Sequence, residues 1–233
     1  MKTITRLVSY FFATASFLFA TIAWGGHHEE SKTDNNYMLL SAYEVGQGQS
    51  MLELQKEAIN IAERRESDGF NNCGVYRHQF AGSRLVYVYC YFDHYGQLDA
   101  VQKKGASRGM PSAKQSFASH NDNILQVQQR NLDKAPENMV FLTFTFGSDL
   151  TLNQRQQSAN TLFDAFNKAF QACNLYTHSW GAELGHYISC GFSDFADFEQ
   201  KDKRINATLA NDLADAKLGI QSHKDDILRK VID

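Results

Sequence analysis

Residues near 50–104 of this 233-residue chain align with residues near 150–204 at an offset of 100 without a gap, and that duplication limits what the chain can fold into. Cys73-Gly74-Val75-Tyr76-Arg77-His78 falls on Cys173-Asn174-Leu175-Tyr176-Thr177-His178. Phe80 falls on Trp180, Tyr87 on Tyr187, Val88 on Ile188, Cys90 on Cys190 and Phe92 on Phe192. Upstream, Gly46 matches Gly147 at the end of an apolar run. Downstream, Ser119-His120-Asn121-Asp122-Asn123-Ile124-Leu125 matches Ser222-His223-Lys224-Asp225-Asp226-Ile227-Leu228 after a short insertion. A period this long belongs to a domain-sized unit and not to a stackable solenoid module.

Hydrophobic periodicity gives both copies the same element order. Met38–Val45 and Met139–Phe146 are apolar, rich in strand-forming residues and closed by glycine. Leu52–Arg65 and Leu152–Phe170 carry apolar residues at helical spacing, with Leu162, Phe163, Phe166 and Phe170 forming one face. Cys73–Phe80 and Leu85–Phe92 alternate around Ala81-Gly82-Ser83-Arg84 and predict a hairpin; Gly181-Ala182-Glu183-Leu184-Gly185 occupies the same place in the second copy. Leu98–Lys104, Pro111–Ala118, Phe195–Lys203 and Ala207–Leu218 predict polar surface helices. Ile124–Gln129 and Ile227–Ile232 predict a last, edge strand in each copy, with a continued helix as the alternative.

Strand-helix-strand-strand-helix-strand is the ferredoxin-like unit. Two such units, each with helices on one face of its sheet, bury the other faces by packing sheet to sheet. The predicted fold class is thus α+β: a tandem duplication of a ferredoxin-like βαββαβ unit, with two antiparallel sheets. In element order the mature chain resembles the dimeric α/β barrel superfamily in a fused, single-chain form. That superfamily includes antibiotic-biosynthesis-type monooxygenases, EthD-like proteins and NIPSNAP-like proteins. The resemblance rests on topology, so it carries over no functional residues.

The N-terminus reads as an export signal. Met1-Lys2-Thr3-Ile4-Thr5-Arg6 is basic and is followed by an apolar run from Leu7 to Ala23, with small residues placing cleavage between Ala23 and Gly26. The alternative is an uncleaved anchor, for which the run is at the short limit. The expected organisation is a signal peptide over 1–25, a flexible leader over 26–36, and repeats over 37–134 and 135–233, giving a periplasmic or secreted protein. Removing the positive charges of Lys2 and Arg6 from the formal −3 leaves −5. Such mild acidity argues against nucleic acid and, after signal removal, against a membrane surface. The duplication implies a monomer with pseudo-two-fold symmetry.

Four cysteines in two equally spaced pairs read as two disulfides in an exported chain. Of the three connectivities, Cys73–Cys90 and Cys173–Cys190 are favoured, because each pair faces across a hairpin. Each would close a loop worth roughly 3 kcal/mol. The spacing lacks the C-x-x-C pattern of zinc sites, so no metal and no cofactor is expected.

Period-two alternation places Cys73, Val75 and Arg77 on one face of the hairpin and Tyr76, His78 and Phe80 on the other. With Val86 and Val88 under the helices, the barrel interior receives Tyr76, His78, Tyr87, Tyr89, Tyr91, Tyr176, His178, Trp180 and Tyr187. Such a lining suits a small aromatic or amphipathic molecule. Two other readings stand beside this one: a cofactor-independent oxygenase or isomerase using His78 or His178, and a structural protein whose barrel is filled. His120 and His223, each two residues before an Asp, predict a helix-end capping turn in preference to a metal site. His27 and His28 predict nothing beyond a tail. His94 and His186 occur in one copy only, facing Asp194 and Val86 in the alignment.

Overall fold

The computed structural model describes residues 34–80, 84–108, 116–181 and 184–232. The expected signal, most of the leader, the centres of both hairpin turns and most of the Pro111–Ala118 segment lie outside these residues. The element order is β1 (Tyr37–Val45), α1 (Met51–Asp68), β2 (Asn71–His78), β3 (Leu85–Phe92), α2 (Tyr95–Arg108), β4 (Phe117–Arg130), β5 (Asn138–Phe146), α3 (Leu152–Phe170), β6 (Cys173–Gly181), β7 (His186–Phe192), α4 (Phe195–Asp212) and β8 (Ile220–Ile232). This is βαββαβ twice.

The duplication reaches the helix caps. Ser50 and Glu53 form a capping box at the start of α1, and Thr151 and Gln154 form one at the start of α3. In each, a hydroxyl accepts an orphan N–H and the longer side chain accepts the cap residue's own N–H. Leu54, Ala58 and Ala62 then bury one stripe of α1, and Leu162, Phe163, Phe166 and Phe170 bury the stripe predicted for α3.

All strand pairs are antiparallel, in the order β1-β3-β2-β8-β5-β7-β6-β4, which closes on itself. Each repeat supplies a four-stranded sheet. The sheets meet across the interior and also join at their borders, where β2 pairs with β8 and β6 with β4. β4 and β8 are therefore not edge strands. They run from Phe117 and Ile220, well before the predicted Ile124 and Ile227, because their first halves pair with β1 and β5. α4 also departs from expectation: one helix to Asp212 replaces the two predicted pieces.

The residues sort into three packed clusters. One lies between α1 and the first sheet and includes Cys73, Val75, Val86, Val88 and Cys90. Its counterpart under α3 and α4 includes Cys173, Leu175, Ile188 and Cys190. The third is the barrel interior, with Met38, Leu40, Tyr76, Tyr87, Tyr91, Leu125, Met139, Phe141, Tyr176, Tyr187 and Leu228. Cys73 stands directly opposite Cys90, and Cys173 opposite Cys190, so both predicted disulfides form, with Cα–Cα distances of 4.0 and 4.2 Å. Among the described residues no helix is long and apolar enough to cross a membrane.

Candidate functional site

Four antiparallel steps separate β1 from β5 around the barrel, so these related strands point the same way. The pseudo-two-fold axis thus runs along the barrel axis, and the two ends of the barrel are chemically distinct. Apart from Tyr91, the buried interior cluster is made of repeat counterparts: Met38 and Met139, Leu40 and Phe141, Tyr76 and Tyr176, Tyr87 and Tyr187, Leu125 and Leu228.

At the end where β1 and β5 begin lies a cavity of about 530 Å³. That size is in the range that holds a small organic molecule, on the order of 300–1,000 Å³. Tyr76, Tyr87, Tyr89, Tyr91 and Tyr176 line it, with Met38, Leu40, Met139, Phe141 and Leu228 as its apolar body. The connection from β4 to β5 crosses this end, contributing Leu132, Lys134, Ala135 and Pro136. Tyr76 donates its hydroxyl proton to the Pro136 carbonyl at 2.6 Å, and Asn174 Oδ1 accepts from the Asn131 and Leu132 amides at 2.9 and 3.0 Å.

The cavity is where the repeats differ. In the first copy Gly74 stands opposite Tyr89, and a Cβ at Gly74 would run into that ring. In the second copy the same pair is Asn174 and Ser189, so the polar side chain moves to the other strand and the ring is lost. Tyr91 likewise corresponds to Gly191, whose missing side chain makes room for Pro136, 3.0 Å from where a Cβ would stand. One wall is thus built of rings and the other of small polar groups and a strapping loop. Tyr91 and Tyr176 hydroxyls lie 3.0 Å apart, and Asn174 Nδ2 donates to Tyr176 at 2.9 Å. Burial, and then the neighbouring Tyr176, hold the Tyr91 hydroxyl well above the usual phenol range, so it stays protonated.

The other end of the barrel is polar. A chamber of about 80 Å³ is bordered by Tyr87, Asn121, Asn123, Lys224 and Asp226. Asp226 is buried and accepts from the Tyr87 hydroxyl at 2.8 Å, with Lys224 Nζ at 3.0 Å and His78 Nε2 at 3.3 Å. His78 Nδ1 meets the Phe80 carbonyl at 2.7 Å. Both ring nitrogens of His78 thus meet an oxygen. In the other half Asn121 and Asn123 replace Lys224 and Asp226, and His178 Nδ1 is buried with no hydrogen-bond partner among the described residues.

Of the predicted lining residues, Tyr76, Tyr87, Tyr89 and Tyr176 border the large cavity, and Tyr187 packs beside it in the interior cluster against Phe141. His78 and His178 border neither cavity. Trp180 is 67% exposed and does not line the barrel: it lies near the end of β6, still paired with Ile124 of β4 but past a register shift between His178 and Trp180 that breaks the alternation. Phe80 lies beyond the end of β2, is exposed and packs against Phe195. Arg130, Asn174, Ser189, Lys224 and Asp226 were not predicted, yet the mismatch of the last four with Gly74, Tyr89, Asn121 and Asn123 across the repeat alignment was visible in the sequence. His120 and His223 do not end helices. They sit on outer faces of strands, stacked on Tyr43 and Phe144 of the neighbouring strand. His186 is buried on the outer face of β7 and His94 is exposed. Among the described residues no cluster of three or more potential ligands could hold a metal ion.

No family profile and no curated sequence matches the chain. Solved structures do match in fold. An anthrone oxidase-like protein aligns at 10% identity with TM-score 0.56, over 85% of this chain and 92% of its own. A candidate monooxygenase from Fusobacterium nucleatum aligns at 12% identity with TM-score 0.57, over 84% and 93%. A candidate chlorite dismutase aligns at 14% identity with TM-score 0.50, over 84% and 94%. The chain therefore has the ferredoxin-like dimeric α/β barrel fold, with both halves of the barrel on one polypeptide.

Proposed function

We propose that this is an exported protein whose barrel binds a small aromatic or amphipathic molecule in the tyrosine-lined end. The observation that carries this is the 530 Å³ cavity, apolar in body and fitted with a few hydroxyls that can orient an occupant. A filled-barrel, purely structural role accounts for the packed centre around Tyr187, Phe141 and Leu125 but leaves the hollow end unexplained. Export to a periplasmic or extracellular compartment is supported by the two disulfides and by the N-terminal signal pattern. The test is native mass spectrometry of protein produced with its own N-terminal segment. A small molecule held natively and lost on denaturation is expected, together with the mass of a chain lacking about its first 25 residues. Met139→Trp, which fills the cavity from its floor, is expected to abolish retention. Retention unchanged in that variant would place the ligand elsewhere and reject the reading.

One observation favours a second reading, a proton-transfer enzyme such as a cofactor-independent oxygenase or isomerase. Tyr87 borders the large cavity and donates to Asp226, which in turn faces His78. Tyr87 would then touch the substrate, with Asp226 and His78 as positioning residues. Tyr87→Phe keeps the ring and removes the hydroxyl. Turnover of the co-purified molecule that disappears while binding persists supports this reading, and turnover unaffected by the change rejects it.

A further inference from the structure

We propose that the occupant of the large cavity is an acid, an apolar or aromatic body carrying one carboxylate-like group that rests between Arg130 and the Tyr91 hydroxyl; this deepens the binding reading above and depends on it. The Asn131 and Leu132 amides fix Asn174 Oδ1 as an acceptor, so Nδ2 is its donor and gives a proton to Tyr176. The Tyr176 hydroxyl then has one proton to give, and Tyr91 at 3.0 Å is a better acceptor than Ser189 at 3.5 Å, which is beyond ordinary hydrogen-bond length. The chain of donors therefore runs toward Tyr91 and leaves its O–H without an acceptor among the described residues. A buried donor of this kind is costly unless something accepts from it.

Charge points the same way. Arg130 stands over the Tyr91 ring, with its guanidinium carbon 5.0 Å from the ring centre, and has no ion pair among the described residues. Lys134 lies at the same mouth. Of the two carboxylates there, Glu66 is turned to the Cys73 amide at 2.7 Å, which leaves Asp133 facing two cations. A guanidinium beside a hydroxyl donor is the arrangement that recognises a carboxylate or another oxyanion, whereas the floor of the cavity, Met38, Leu40, Met139, Phe141 and Leu228, offers nothing to a second charge.

The experiment compares two fluorescent probes with one aromatic scaffold, anilinonaphthalene sulfonate and the neutral phenylnaphthylamine, on the full mature chain freed of co-purified ligand. Both are expected to bind, the sulfonate more tightly. Arg130→Gln is expected to weaken the sulfonate about tenfold, the loss of one charge-assisted contact. Tyr91→Phe is expected to weaken it less, and neither change should move the neutral probe. Arg130 is exposed, so its replacement leaves the fold intact. Binding of both probes with equal affinity, unchanged in Arg130→Gln, would overturn the acid while keeping the cavity. Binding of neither would overturn the cavity reading and the acid with it.

Discussion

His186 shows how one substitution changes the physics of a buried position. The first repeat has Val86 there; the second has an imidazole packed edge-on against Phe146, 5.2 Å between ring centres. Burial first, and the nearby Arg155 second, lower its pKa from 6.5 to about 4. The unfolded chain therefore takes up a proton near pH 6.5 that the folded chain refuses until about pH 4. The stability associated with the neutral ring is complete above the higher value and declines as pH falls through that window, by no more than about 3 kcal/mol. Exchanging His186→Val, the residue of the other repeat, is expected to remove this part of the pH dependence. The check is the urea midpoint of both proteins above and below the window: parallel profiles would mean that His186 does not titrate as its burial requires. Period-two alternation also made most single-residue placements legible. It put Tyr76, Tyr87, Tyr91, Tyr176 and Tyr187 inside and the cysteines outside, as observed. It failed at Phe80, which lies beyond the end of β2, and at Trp180, where β6 stays paired with β4 but the register slips by one residue after His178, an irregularity the sequence does not announce.

At the level of elements, the strands and helices with one apolar face were readable, and those with two polar-looking faces were not. β1, β3, β5 and α3 were placed within a residue or so of their observed limits because burial on one side imposes a period. β4 and β8 carry Ser-His-Asn-Asp-Asn and Ser-His-Lys-Asp-Asp segments that look like turns, since these residue types compete for backbone groups. They are strands because β1 pairs with Ser119–Asn123 and β5 with Ser222–Asp226, the second neighbours, β6 and β2, joining only from their ends onward. Their polarity has a place as well. Outward His120 and His223 stack on Tyr43 and Phe144, while Asn123 and Asp226 enter the narrow polar end of the barrel. Pairing across repeats is a long-range event, and no local window of sequence contains it.

For the whole molecule, duplication explains the frame, and the departures from it mark the places where one barrel end became hollow and the other charged. The apolar site residues were legible because they repeat. The polar ones were hidden because they do not. The Lys224–Asp226 pair offers the sharpest test, since the opposite wall already shows the uncharged version, Asn121 and Asn123, in the same fold. Asp226 is buried, and Lys224 is half exposed. Asp226→Asn removes the negative charge and one of the two acceptor oxygens that Tyr87, His78 and Lys224 share, and is expected to cost about 2 kcal/mol, reduced from the cost of a fully buried pair by Lys224's access to water. Lys224→Asn leaves Asp226 with Tyr87 and His78 and is expected to cost about 1 kcal/mol. The double variant restores the asparagine pair of the other wall, and its cost should fall short of the sum of the two by about 1 kcal/mol. Denaturant unfolding of all four proteins measures that difference. A positive coupling would identify the pair as a compensated unit introduced together into one half of a symmetric barrel. Strict additivity would mean that Asp226 is held by Tyr87 and His78 alone, which would tie its placement to the tyrosine that reaches the cavity.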